Sequence, residues 1–218
     1  MSQERGKAED QRRGAERILR RLQEAGFTTY FAGGCVRDQL LGEEPKDYDI
    51  ATAATPKEVR GLFPRSGFVG AHFGVTLVQE PEGAFEVATF RADGSYEDGR
   101  RPNEVVFTTA EEDAQRRDFT INGLFQDPVA NEIIDFVGGR ADLEKGRLRA
   151  IGNAEERFQE DLLRLLRAVR FSARFGFPME EATLAALRRA APRLGEISAE
   201  RIRDEVIRIL LHPTRTLG

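Results

Sequence analysis

Residues 28–41 read TTYFAGGCVRDQLL, and residues 46–52 read KDYDIAT. The β-prone run Thr28–Ala32 leads directly into Gly33-Gly34, and Val36–Leu41 then has the pattern of a helix. Asp49–Thr52 predicts a second short strand. A strand, a glycine turn, a helix and another strand in this order predict an α/β arrangement for the first part of the chain.

The pattern on both sides of this stretch extends the α/β prediction to about residue 146. A helix is expected over Ala15–Ala25, after polar residues 1–13 that we expect to fray, and another begins at Pro56. The other expected elements are β-rich Gly74–Gln79, Ala84–Arg91, Glu104–Thr108 and Ile133–Val137, and a helix over Arg116–Leu124. The predicted fold class is α/β, with a small mixed or antiparallel sheet and flanking helices.

Beyond Lys145, charged and apolar residues recur at a helical period, which predicts an all-α second part. Its expected helices are Ala154–Phe175, Glu180–Ala190 and Ala199–Leu211. The chain is therefore expected to have two domains, residues 1–146 and residues 147–218.

Composition limits the class of protein. With 218 residues, the chain can bury one substantial core, or one core and a smaller satellite domain. Its formal net charge is -4, so nucleic-acid binding would depend on local basic clusters. The single cysteine, Cys35, excludes a disulfide framework. We see no apolar run near the roughly 18 residues of a membrane span, and no signal peptide. We therefore expect a soluble cytoplasmic protein.

Three acidic residues are candidate catalytic metal ligands. Asp47 and Asp49 stand two apart at the entry to a predicted strand, so both carboxylates are expected to point the same way. Glu86, between Phe85 and Val87 on another predicted strand, would add a third carboxylate. Carboxylates suit Mg²⁺, and two such ions promote in-line phosphoryl transfer. Taken alone, the aspartates are more typical of a solvated turn, and Glu86 is as readily an ordinary solvent-facing residue.

Gly33-Gly34 has the geometry of a phosphate-binding turn, because glycine lets the backbone approach a ligand and the following helix offers N–H groups. Arg37, one turn into that helix, could reach the same triphosphate, and Asp38 is expected to be its structural partner. A bare Gly-Gly pair is nevertheless more typical of a tight turn.

Residues 161–170 place charges at every third position of a predicted helix. Its expected buried stripe is Leu162, Leu165, Leu166 and Val169, and its charged residues are Asp161, Arg164, Arg167 and Arg170. Such a charge run usually faces solvent. The sharper hypothesis is that Asp161 accepts a hydrogen bond from a nucleotide base edge and Arg164 donates one. Arg167 and Arg170 would then hold helix geometry or phosphates.

Residues 116–122 form another basic and polar cluster. Arg117 is a candidate contact to a triphosphate or ribose, whereas Asp118 and Asn122 are as well explained by caps and packing hydrogen bonds. Cys35 and His72 are interpreted as structural, because neither has the Cys and His neighbours of a metal site or a nucleophilic dyad.

Four of these motifs, taken in order, resemble those of class II tRNA nucleotidyltransferases, a family of CCA-adding, CC-adding and A-adding enzymes and bacterial poly(A) polymerases. The motifs are GGCVRD at 33–38, DYDIAT at 47–52, RRDFTIN at 116–122 and EDLLR at 160–164. The resemblance runs from about Tyr30 to Phe177 and extends weakly to His212. It implies a nucleotidyltransferase head followed by an all-α neck, and we expect the family's later body and tail to be absent.

The resemblance also implies roles for individual residues. Asp47 and Asp49 are the implied metal ligands, with Glu86 as a third catalytic carboxylate. Asp161 and Arg164 resemble the amino-acid template that selects the incoming CTP or ATP. The implied nucleotide-binding residues are Gly33, Gly34, Arg37, Arg117, Asp161, Arg164, Arg167 and Arg170.

The implied function is addition of CMP and AMP to the 3′ end of tRNA without a nucleic-acid template, from CTP and ATP and with Mg²⁺ as cofactor. The loop Ala92–Asn103 resembles the flexible loop of enzymes that add the terminal A, which argues against a CC-adding subtype. The alternatives are an A-adding or poly(A) polymerase subtype, or a non-catalytic nucleotide- or RNA-binding module. No membrane partner is expected, and the oligomeric state stays open.

Overall fold

The computed structural model describes residues 2–68, 74–93 and 105–211. Within these ranges the chain forms two compact units. The described residues of the first unit are 2–68, 74–93, 105–116 and 122–136, and those of the second are 117–121 and 137–211. The division into domains at residue 146 stays a prediction.

The first unit combines a mixed sheet with flanking helices. Its helices are α1 (Ser2–Glu24), α2 (Gly34–Leu40), α3 (Pro56–Leu62) and α4 (Ala110–Gln115). Its strands are β1 (Thr29–Ala32), β2 (Ile50–Thr52), β3 (Ser66–Phe68), β4 (Val75–Glu80), β5 (Gly83–Thr89), β6 (Arg91–Asp93), β7 (Val105–Phe107), β8 (Leu124–Asp127) and β9 (Glu132–Asp135).

The main sheet has the strand order β3-β4-β5-β2-β1-β8-β9, and β6 pairs separately with β7. β2 and β5 run parallel, with Ile50 opposite Val87, and the other neighbours in the main sheet are antiparallel. This arrangement, followed by helices in the second unit, confirms the predicted fold class.

Helix α1 packs on one face of the sheet through Ile18, Leu19 and Leu22, which are fully buried. The approach is close, because a Cβ added at Gly14 would lie 2.6 Å from Phe85 Cζ. Residues 2–13, which we expected to fray, belong to this helix. They are mostly residues of high helix propensity, and the Arg12–Glu16 pair at 2.9 Å adds support across one turn.

The second unit is helical. Its helices are α5 (Gly139–Glu144), α6 (Ala154–Glu160), α7 (Leu163–Phe175), α8 (Glu181–Ala190) and α9 (Ala199–Leu210). The last two confirm the predicted helices to within one residue at each end. Phe119 and Phe171 are buried in the core of this unit, and their rings meet edge to face with centroids 5.9 Å apart.

The single helix predicted over Ala154–Phe175 is wrong. The chain leaves the helical conformation at Asp161, which is extended with φ -148° and ψ 104°. The Asp161 carboxylate accepts a hydrogen bond from the backbone N–H of Leu163, 3.0 Å away, where α7 begins. Short acidic side chains compete in this way with the helical hydrogen bonds of the backbone. The buried stripe also differs, since Leu166 and Val169 are partly exposed.

The helix predicted over Arg116–Leu124 is also wrong. The backbone of this segment pairs instead with residues 149–151, through Thr120 N–H to Arg149 O at 3.0 Å and Ile151 N–H to Asp118 O at 3.1 Å. Only a short 3₁₀ turn remains, over Thr120–Asn122. Pairing with a distant segment has overridden the local pattern.

Two further expectations concern residues that the structure does not describe. His72 lies outside the described residues, as do residues 94–103 of the loop Ala92–Asn103, whose first two residues belong to β6. In the described ranges, no helix is both long enough and apolar enough to cross a membrane.

Candidate functional site

Asp47 and Asp49 lie at the entry to β2. Both are exposed, whereas Tyr48 and Ile50 are buried, so the two aspartates alternate with core residues. Tyr48 packs against Phe31 with ring centroids 5.2 Å apart, and Asp49 O accepts a hydrogen bond of 3.0 Å from the backbone N–H of Ala32. The backbone of the pair is thus fastened to β1 while both carboxylates face outward.

The position of Glu86 relative to Asp49 follows from the register of the parallel strands β2 and β5. Ile50 lies opposite Val87, and both are buried. Asp49 immediately precedes Ile50 at the entry to β2, and Glu86 immediately precedes Val87 on β5; both are exposed. Because successive side chains alternate between faces, Asp49 and Glu86 share the face opposite that of Phe85, against which α1 packs.

These carboxylates fit a divalent cation as part of its ligand set. Carboxylate oxygens are donors that Mg²⁺ prefers, and the ion commonly keeps water and takes phosphate oxygens of a substrate as further ligands. Within the described part of the chain, no three His, Cys, Asp or Glu side chains gather closely enough to hold a metal by themselves. The site therefore offers two aspartates and a neighbouring glutamate, and the metal assignment stays a prediction.

The Gly33-Gly34 turn joins β1 to α2. Gly33 has φ 70° and ψ -119°, a conformation that residues with a Cβ rarely adopt. Its N–H donates to Leu124 O at 2.9 Å, and its carbonyl accepts from Arg37 N–H at 3.1 Å. The turn is held on one side by the residue that begins β8 and on the other by its own helix.

Arg37 is buried, with 4% of its surface exposed. Its Nε donates to Asp38 Oδ1 at 2.8 Å, its Nη2 lies 2.6 Å from the same oxygen, and its Nη1 donates to Asn122 Oδ1. The expectation that Asp38 is a structural partner of Arg37 is confirmed. Contact between Arg37 and a triphosphate stays a prediction.

Arg117 and Asp118 belong to the segment 117–121 of the second unit. Arg117 is partly buried, and its nucleotide contact stays a prediction. Asp118 accepts hydrogen bonds from the Phe119 backbone N–H at 2.8 Å and from Arg167 Nε at 2.7 Å. Asp118 and Asn122 therefore both make packing hydrogen bonds, which was one of the two interpretations of these residues.

The predicted base-reading pair stands at the start of α7. Asp161 Oδ2 accepts from Arg201 on α9 at 2.8 Å, while its other oxygen accepts from Leu163 N–H. Arg164 is 8% exposed, and its Nη1 donates to Arg157 O at 2.9 Å and to Glu160 Oε2 at 2.6 Å. The interpretation of residues 161–170 as a solvated charge run is therefore wrong for Arg164. Both side chains have fixed orientations, and their role toward a base stays a prediction.

Arg167 and Arg170 are also held in ion pairs within the second unit. Burial works to lower the pKa of Arg167, but the charge and hydrogen bond of Asp118 raise it above its ordinary value. Arg170 donates to the buried carboxylate of Glu205 at 2.6 Å, and burial lowers its pKa. The guanidinium carbons of Arg167 and Arg170 lie 5.3 Å and 4.3 Å from the Phe171 ring centroid.

Two buried interactions were missed by sequence reasoning. Asp142 is fully buried and accepts hydrogen bonds from Thr120 Oγ1, Arg147 and Arg149. The signal for it was an aspartate between apolar Ala141 and Leu143 with arginines close behind. The link from Arg37 to Asn122 joins two motifs 85 residues apart, and no local pattern could have indicated it.

Cys35, next to the glycine turn, is buried and interpreted as structural. Burial raises the pKa of its thiol to about 12, and the nearby charge of Asp49 adds to the shift. A thiol with such a pKa carries almost no thiolate at neutral pH and is a poor nucleophile.

Comparison with known proteins gives the family. Residues 29–149 match the family model described as the poly A polymerase head domain. Residues 176–217 match a model described as a probable RNA and SrmB-binding site of polymerase A. The CCA-adding enzyme of Leuconostoc mesenteroides subsp. mesenteroides is 46% identical over 198 residues, which are 90% of this chain and 49% of that protein.

Solved structures are similar as well. A crystal structure of the Bacillus stearothermophilus CCA-adding enzyme in complex with CTP has a TM-score of 0.85 at 41% identity, over 93% of this chain and 49% of that one. A tRNA nucleotidyltransferase complexed with a primer tRNA and an incoming ATP analog has a TM-score of 0.75 at 28% identity, over 92% and 58%. The chain spans about half the length of the curated relatives it matches. More than half of its residues match the head-domain model, so the chain belongs to the poly(A) polymerase head-domain family, and its resemblance to tRNA nucleotidyltransferases is confirmed.

Proposed function

We propose that this chain carries the catalytic part of a CCA-adding activity, which transfers CMP and AMP from CTP and ATP to the 3′ end of tRNA without a nucleic-acid template. The observation that carries the proposal is the register of β2 and β5, which sets Glu86 beside Asp49 on the face opposite α1, with Asp47 just before them. Similarity to a CCA-adding enzyme in complex with CTP, and to a tRNA nucleotidyltransferase with a primer tRNA and an ATP analog, supports these substrates.

In this proposal, Asp47 and Asp49 hold Mg²⁺ ions and Glu86 is the third carboxylate of the site. When bound, the metal would lower the pKa of the RNA 3′-hydroxyl and neutralise charge on the α-phosphate. The contribution of the chain is to fix the carboxylates, which the hydrogen bond from Ala32 and the packing of Tyr48 achieve.

The triphosphate would be held by Gly33, Gly34, Arg37 and Arg117. Gly33 supplies a backbone conformation that allows close approach, and Arg37 and Arg117 supply positive charge. In this proposal these residues bind phosphates and not the base, so they serve CTP and ATP alike.

Nucleotide choice belongs, in this proposal, to Asp161 and Arg164. Cytosine and adenine both carry an exocyclic amine, from which Asp161 can accept a hydrogen bond. Arg164 can donate to a ring nitrogen or a carbonyl oxygen of the same base. Arg167 and Arg170 complete the nucleotide-binding set and lie with Arg164 on α7.

We also propose a cytoplasmic location, because the lone, buried Cys35 suits a reducing compartment.

The test is incorporation into a tRNA that lacks its 3′ CCA end, with CTP and ATP supplied separately and together and the products sequenced. We expect CMP and AMP in the order C, C, A. Asp47→Ala should lower the rate about a hundredfold or more, since metal ligation is worth several kcal/mol in the transition state. The control is Asp204→Ala, which removes an exposed aspartate that Arg203 binds in the second unit. Equal activity of Asp47→Ala and wild type would refute the proposal.

The products also separate the alternatives. A single AMP would indicate an A-adding subtype, and long A tracts would indicate a poly(A) polymerase. Binding of CTP without metal-dependent turnover would indicate a non-catalytic nucleotide-binding module.

A further inference from the structure

We propose that Asn122 is a positioning residue for triphosphate binding, and that its amide oxygen fixes the Arg37 guanidinium beside the Gly33-Gly34 turn. The inference rests on the proposed function of Arg37 and the turn. It assigns a role to a residue that does not itself touch the nucleotide.

The first argument is the confinement of Arg37. The side chain is almost fully buried, and its Nε and Nη2 edge is bound by Asp38. Its Nη1 donates to Asn122 Oδ1. A guanidinium held on two edges cannot swing about its long stem, so its orientation is fixed before a ligand arrives.

The second argument is the place where Arg37 is held. Its Nη2 lies 3.6 Å from the position that a Cβ would occupy on Gly34. The guanidinium is therefore packed against the glycine turn, and in this proposal its charge acts on a phosphate bound by that turn. An unanchored arginine at this place would gain rotamer freedom and lose its alignment with the turn.

The third argument is that one short segment holds both parts. Asn122 binds Arg37, and two residues later Leu124 O accepts the hydrogen bond of 2.9 Å from Gly33 N–H. The chain from Asn122 into β8 thus fixes the turn through the backbone and the arginine through a side chain. Both contacts lie within the first unit.

The chemistry of the amide explains why an asparagine suits this position. Asp38 already supplies one negative charge to Arg37. A second carboxylate would leave a net negative charge beside a site for an anionic triphosphate, and like charges repel strongly when partly buried. A neutral amide oxygen accepts the hydrogen bond without that charge.

The test uses Asn122→Ala and Asn122→Asp in the full 218-residue chain. Binding of CTP, ATP and inorganic tripolyphosphate is measured by calorimetric titration with Mg²⁺ and without RNA, and thermal melts accompany each titration. Asn122→Ala should weaken all three ligands by a similar factor, about tenfold, as expected for one hydrogen bond to a charged group. Asn122→Asp retains the acceptor, so it should melt no lower than wild type and still bind all three ligands less tightly.

The control is Thr55→Ala, which removes the side-chain cap of α3 in the same unit. It should lower the melting temperature and leave tripolyphosphate binding unchanged. A merely structural role for Asn122 would make Asn122→Ala bind tripolyphosphate as wild type does at temperatures where it is folded, and this result would overturn the inference. Base-dependent effects, with CTP and ATP weakened by different factors, would also overturn it.

These outcomes are separable from failure of the proposed function. Wild-type binding that neither Asn122 variant changes would overturn the inference alone. Absence of metal-dependent turnover in wild type, with tripolyphosphate binding still sensitive to Asn122, would refute the catalytic proposal and support the positioning role.

Discussion

Asp142→Asn tests how strongly one buried carboxylate stabilises the second unit. Asp142 is fully buried on α5, and its oxygens accept from Thr120 Oγ1 at 2.7 Å, Arg147 Nε at 2.9 Å and Arg149 Nε at 2.7 Å. Thr120 belongs to the segment 117–121, so this carboxylate joins that segment to α5 and to the arginines that follow it.

The size of the expected destabilisation follows from the solvent exposure of the arginines that bind Asp142. Breaking a buried ion pair by removing one partner costs about 3–5 kcal/mol, because the other charge is left unpaired. Here the side chains of Arg147 and Arg149 are 37% and 30% exposed, so water can partly solvate them after the change. We therefore expect Asp142→Asn to lower the free energy of unfolding by the lower end of this range, about 3 kcal/mol. For a protein of this size, that is a fall in Tm of about 6–12 °C.

The assay is a thermal melt followed by circular dichroism, with Glu144→Gln as the matched control. Glu144 lies on the same helix and pairs with Arg140 at 3.4 Å, but both side chains are more than half exposed. An exposed pair of this kind is worth at most about 1 kcal/mol. If Asp142→Asn melts within the range of the control, the buried cluster does not stabilise the unit as argued.

The pH dependence provides a second check with a defined sign. Burial works to raise the pKa of Asp142, but the hydrogen bonds from Thr120, Arg147 and Arg149 hold it below its ordinary value. A depressed pKa stabilises the folded state above the unfolded pKa of about 3.9, and that contribution is lost as pH falls through the lower folded pKa. The gap in Tm between wild type and variant should be constant from about pH 5 to pH 8 and shrink in more acidic solution. A gap that stays constant into strong acid contradicts the assignment.

Two further predictions concern the glycine turn. Gly33→Ala should destabilise the chain by about 1–3 kcal/mol and weaken CTP binding, because φ 70° with ψ -119° is strained for any residue with a Cβ. A thermal melt and a CTP titration measure the two effects, and an unchanged melting temperature contradicts the prediction. Cys35 should resist iodoacetamide in the native chain at pH 8 and react in denaturant, because burial raises the pKa of its thiol to about 12. Labelling of the native chain at the rate of a free thiol contradicts this prediction.

The parts of the fold that the sequence predicted are those determined locally. Helix α3 starts where Thr55, Pro56 and Glu58 indicate, and the capping box between Thr55 and Glu58 is formed as such spacing leads one to expect. Strand β5 alternates buried Phe85 and Val87 with exposed Glu86, as its composition indicated. The helix start depends on residues a few positions apart, and the two faces of the strand follow from alternation along its own sequence, so both are legible in a single sequence.

The parts that were missed depend on distant partners. Asp161 stands in a helical pattern, yet its carboxylate accepts from Leu163 N–H and also from Arg201, which lies 40 residues later, and the helix breaks there. The segment 117–121 follows residues 149–151 in place of its own helical preference. A periodic pattern reports which face is apolar, but it does not report which charge a side chain will meet.

The charged residues within 161–170 also have binding partners that a periodic pattern does not report. A charge run is usually solvated, but here each arginine is bound by a carboxylate of the second unit: Arg164 by Glu160, one turn before it, and Arg167 and Arg170 by the more distant Asp118 and Glu205. The proposed selection of nucleotides by protein side chains requires this kind of confinement. A mobile guanidinium offers donors in many directions and would satisfy several bases, whereas one held in place discriminates by direction as well as by charge. The carboxylates that hold these arginines therefore matter to the proposed base choice even though none of them is expected to contact the base.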